Sequence, residues 1–83
     1  MAELTEARRD RLKDSQFAYI DRGGERHLPI NDETHVRNAI ARFSQTSFDT
    51  AADKRAAARK IAAAAKRHDI ELDPSDHVVK AAR

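Results

Sequence analysis

"AADKRAAARKIAAAAKRH", residues 51 to 68, is the stretch that most narrows what this chain can become. Half of its residues are alanine, which gives up no side-chain freedom on entering a helix, and neither glycine nor proline interrupts the run. Thr50 and Asp53 open it in the manner of a capping box. At 100° per residue, Ala58, Ile61, Ala62 and Ala65 fall on one inward stripe. Such a stripe carries one bulky side chain. A second helix can therefore approach closely, toward the lower end of the usual 8–10 Å separation, but it must supply the large side chains itself.

Residues 32 to 45 meet that demand. Asn31 or Asp32 can cap this segment, and Val36, Ala39, Ile40 and Phe43 follow at i, i+3, i+4 and i+7. "SQTSFDT" is the turn between the two helices, with Phe48 anchoring it to the core. Upstream, "FAYI" and "RHLPI" flank "DRGGE", whose glycines suit a tight reversal, so a hairpin is expected with Pro29 at an edge or strand end. A two-stranded hairpin is not stable alone and must lie on the helices. Thr5 to Lys13 predicts a short first helix, and Asp69 ends the long one. Ile70 and Leu72 are expected to fold back, and 73–83 to be a mobile tail with little to hold it. The fold class is thus mainly α with a small β-hairpin (α+β): a short N-terminal helix, a two-stranded hairpin and an antiparallel helix pair. One domain spans 1–83, its ordered core about 15–72.

The chain has no cysteine, which excludes disulfides and thiolate metal sites. No apolar run approaches the roughly 18 residues of a membrane span, so a cytoplasmic protein without a membrane partner is expected. The net charge is only +2. Its distribution says more. Residues 51 to 68 hold Lys54, Arg55, Arg59, Lys60, Lys66 and Arg67 against Asp53, six minus one or +5, leaving 2 − 5 = −3 for the remainder. Arg55, Arg59 and Lys66 form one row and Lys60 with Arg67 another, opposite the core stripe and separated by Ala52, Ala56 and Ala63. Small residues between cations let a polyanion come close, so Arg55, Arg59, Lys60, Lys66 and Arg67 are candidate nucleic-acid contacts. With no asparagine, glutamine or aromatic among them, the expected binding is to the backbone, without sequence choice. The competing reading is a solvated face that keeps an alanine-rich helix in solution.

A second polar set lies on the helix at 32–45. His35, Asn38 and Arg42 align beside its core stripe and together offer donors, an acceptor and a planar guanidinium fork for an anion or a partner's carboxylate. Against this, Asp32 three residues before His35 marks a helix N-terminus, and local bonding to backbone is the ordinary use of such side chains.

"FAYI…HLPINDETHVRNAIARFSQ…ARKIAAAAKRHDI" resembles a small bacterial and phage-associated domain of unknown function. That domain has a Phe–Ala start, an LPIxDxxHVRNAxAR block and a basic alanine-rich helix. The pattern is met here by Phe17, Ala18, Leu28, Pro29, Ile30, Asp32, His35, Val36, Arg37, Asn38, Ala39, Ile40, Ala41 and Arg42, and it covers about residues 15 to 72. The resemblance implies kinship and a phage-related setting, but no activity.

Catalysis has the weakest support. His27, His35, His68 and His77 are scattered without an HExxH, so a metal would need two distant segments to converge, and no metal site is expected. The serines lack nucleophile-elbow glycines, and "RGGER" lacks the ending of a phosphate loop. No catalytic residue and no cofactor are expected. Two non-enzymatic readings stand: a module docking on nucleic-acid backbone, or a protein-interaction or structural adapter, phage-linked, using the His35/Asn38/Arg42 stripe or the hairpin edge. The oligomeric state is left open.

Overall fold

A computed structural model describes residues 13–83. The helix expected over 5–13 lies outside these apart from Lys13, which is extended. Two strands, β1 (Phe17–Ile20) and β2 (Arg26–Pro29), pair antiparallel with Tyr19 opposite His27. Three α-helices follow: α1 (Glu33–Arg42), α2 (Ala51–Arg67) and α3 (His77–Ala82), with a 3-10 turn at Phe43–Gln45. The fold is α+β, as the patterning predicts.

Each element begins or ends on an identifiable device. The Asp21 side chain accepts the N–H groups of Gly23 and Glu25 and closes the hairpin turn, where Gly24 takes φ +83°. Asp32 rather than Asn31 caps α1, its Oδ1 taking the His35 N–H at 2.8 Å. Thr50 caps α2 through the Asp53 N–H. At the other end of α2, Ile70 N–H bonds the Ala65 carbonyl at 2.8 Å and Asp69 N–H that of Lys66, with Asp69 at φ +55°. That is a Schellman stop with aspartate where glycine is usual.

The core forms where α1, α2 and the hairpin meet. Val36, Ala39 and Phe43 face Ala57, Ala58, Ile61, Ala64 and Ala65, with Tyr19, Leu28, Ile30 and Ile70 closing the edges. The alanine stripe is broader than its spacing alone suggests: Ala57 and Ala64 are buried, whereas Ala62 is only partly so. Phe48 anchors its turn by an edge contact with Tyr19, ring centres 4.8 Å apart.

One expectation needs correction. The segment 73–83 is not a loose tail: Asp76 caps α3 through the Val78 N–H, and Val78 is wholly buried among the core residues. A six-residue helix has negligible stability by itself, so its order comes from the apolar contact with α2. The run "RHLPI" does return as β2, with one local feature: Leu28 adopts φ +57°, a rare conformation for a bulky residue, while its side chain enters the core.

Candidate functional site

The exposed side of α2 follows from its buried side. Ala57, Ala58, Ile61, Ala64 and Ala65 occupy roughly one-third of the helix circumference, so the residues opposite point away from the core. Arg55, Arg59, Lys60, Lys66 and Arg67 are all there, and all are exposed, with Ala52, Ala56 and Ala63 exposed between them. Among the described residues, no carboxylate pairs with any of the five. Arg59 alone is engaged: its Nε–H donates to the Ala82 carbonyl at the end of α3, at 3.2 Å. That bond orients the guanidinium and leaves its two terminal nitrogens free for another acceptor. Acidic residues pair elsewhere, Glu33 with Arg37 along α1 and Asp14 with Arg26.

The stripe on α1 is not assembled as a joint site. His35 is buried, and its Nδ1 lies 2.6 Å from Asp32 Oδ1, so the ring completes the helix cap. Burial pushes the Asp32 carboxyl up, but the His35 backbone N–H, its ring and its charge, with a further contribution from His68, outweigh that. The net result is below the ordinary carboxylate value. Asn38 and Arg42 remain exposed, without side-chain partners among the described residues. Burial, which alignment on a wheel does not reveal, separates His35 from the other two.

One grouping was not evident from sequence. The hairpin brings Asp21, Glu25 and His27 together, each offering a metal-ligand atom within 4.8 Å of the others. A metal set was expected to require distant segments; strand pairing supplies this one locally, and the signal was D-x3-E-x-H straddling a Gly-Gly turn. Asp21 is already occupied, with Oδ1 on two turn N–H groups and Oδ2 3.0 Å from His27 Nε2. The hydrogen bond from His27 and those from the turn hold its carboxyl below the usual range. His27 in turn stacks on Tyr19, whose hydroxyl accepts the Asp49 N–H. These contacts serve to clamp the hairpin to the loop before α2.

A two-stranded hairpin laid on a helix pair, with one helix face left cationic and open, defines a small α+β domain. The chain belongs to a family of unknown function, DUF6582, whose family model matches residues 3–75. No curated protein and no solved structure is significantly similar to it. Among the described residues no helix is long and apolar enough to cross a membrane.

Proposed function

We propose that this domain is a non-enzymatic binding module that docks on the phosphate backbone of nucleic acid through α2. The observation that carries the reading is the five-cation face opposite the buried alanine stripe, unneutralised by any described carboxylate. Presenting that face to a polyanion disturbs no core contact, and the alanines between the cations let phosphates come close. The face carries no asparagine, glutamine or aromatic side chain and its cations are taken to meet phosphates, so affinity is expected to be independent of sequence. Anisotropy titrations against a random-sequence duplex at several salt concentrations test it. Five phosphate contacts give a log-affinity against log-salt slope of about −4.5. Absent or salt-insensitive binding overturns the reading.

A second reading is a protein-interaction or structural adapter, in a phage-related assembly if the sequence resemblance extends to setting. Its support is Asn38 and Arg42, exposed and without partners among the described residues, and Ile20, the one large apolar side chain exposed among them, at the hairpin. Loss of a captured protein on Arg42→Glu but not on Lys60→Glu favours it over the first.

A further inference from the structure

A cleft of about 430 Å³ opens where the 3-10 turn after α1, the first turn of α2 and the helix α3 meet. Ser44, Lys54, His77, Lys80 and Ala81 line it. Four of these five bring a polar group able to donate a hydrogen bond, two of them permanent cations, and no carboxylate is among them. They come from three stretches of chain, so the grouping is made by the fold. The acid nearest in sequence to His77 and Lys80, Asp76, spends Oδ1 on the Val78 N–H.

The four donors are also unspent. Among the described residues, the side chains of Ser44, His77 and Lys80 make no hydrogen bond or ion pair. Lys54 has only a distant approach of its Nζ over the Phe43 ring, at 6.0 Å. His77 and Lys80 stand at i and i+3, hence on one face of α3, and Ala81 leaves room between them and α2. Two lysines held in one cleft without a counter-charge repel each other, and an anion between them would remove that repulsion. α3 packs on α2 and on the 3-10 turn, with Val78 buried between them, so a ligand bridging these elements would also strengthen that docking.

We propose that this cleft is a binding site for a phosphoryl dianion, with Lys54 and Lys80 supplying charge and Ser44 and His77 supplying directional hydrogen bonds. The cleft exceeds one phosphoryl group and has room for part of the molecule that carries it. It is separate from the basic face of α2: Lys54 lies about 100° around the helix from Arg55. The proposal therefore does not depend on nucleic-acid docking.

Amide NMR titration with inorganic phosphate, at ionic strength matched with chloride, is the test. Saturable shifts clustered at Ser44, Lys54, His77, Lys80 and Ala81 are expected. Lys54→Gln and Lys80→Gln should each weaken binding by about tenfold, the loss of one charge-assisted hydrogen bond. Lys66→Gln, on the other face, should leave it unchanged while weakening duplex binding. All three positions are exposed, so the variants should keep the parent's dispersed spectrum. Shifts that fail to saturate, that spread evenly over all cationic residues, or that persist in both cleft variants overturn the proposal. A comparison of 5′-phosphorylated and 5′-hydroxyl strands of one sequence then separates the sources. A preference for the phosphorylated strand at the cleft residues assigns the dianion to a strand end, and equal behaviour assigns it to a small phosphorylated molecule.

Discussion

Asp32 shows how one side chain holds several levels of this fold together. It caps α1, fixes the buried His35 ring and so sets how the helix leaves the hairpin. Its carboxyl is held below the ordinary carboxylate value, so the unfolded chain binds the proton more readily than the folded one. The resulting stability is present above about pH 4, the unfolded value, and drains away as pH falls through the lower folded value. Asp32→Asn keeps a capping oxygen but removes the charge. Urea denaturation at pH 7 and pH 3 should find the variant weaker at pH 7 and less sensitive to acidification than the parent. Asp32→Ala loses the cap as well and should cost about 1–2 kcal/mol at pH 7. Equal acid sensitivity in the Asp32→Asn variant and the parent would show that the charge is not coupled to folding. Asp69 makes the opposite case. It sits at φ +55° in a position that suits glycine, so Asp69→Gly should raise stability by about 0.5 kcal/mol, seen as a higher denaturation midpoint.

At the scale of elements, the packing depends on α2 being narrow on its buried side. Ile61 is the one large side chain on that side, fully buried against α1 and the hairpin. Ile61→Ala should cost about 3 kcal/mol by removing it, and Ala64→Leu about 1–3 kcal/mol by forcing the helices apart. If Ala64→Leu is neutral in chemical denaturation, the two helices are not closely packed at this position. Most of this was legible in the sequence, because alanine content, the i, i+3, i+4, i+7 stripe of α1 and the Gly-Gly turn each have a direct local cause. The tail was not. "DPSDHVVKAAR" is too short to predict as a helix, and its order rests on Val78 reaching a core built from distant residues. Val78→Ala should therefore cost about 2 kcal/mol, from two lost methyl groups and the cavity they leave. The positive φ at Leu28 was equally hidden, since only the tertiary position of its side chain calls for it. The exposure of the cationic face of α2 was legible because an exposed face is the complement of a buried one. The burial of His35 was not legible, since it lies on the same side of α1 as Asn38 and Arg42, which remain in solvent.

The molecule as a whole separates its charge, with +5 on residues 51 to 68 and −3 on the rest. The separation orients it in the field of a polyanion before contact, and it speeds association more than it tightens the complex. If backbone docking is the function, no one cation among Arg55, Lys60, Lys66 and Arg67 should be special, because each neutralises a phosphate and none reads a base. Single glutamine substitutions at these four should each reduce the magnitude of the salt slope by about 0.9 and weaken binding equally on every duplex sequence. Arg59 is the exception. Its bond to the Ala82 carbonyl fixes the guanidinium against α3, so Arg59→Lys keeps the charge and loses the orientation. That variant should preserve the slope while lowering affinity at every salt concentration, whereas Arg59→Gln should change both. If one of the four other positions dominated, or a substitution altered preference among duplex sequences, α2 would be reading its ligand rather than only attracting it.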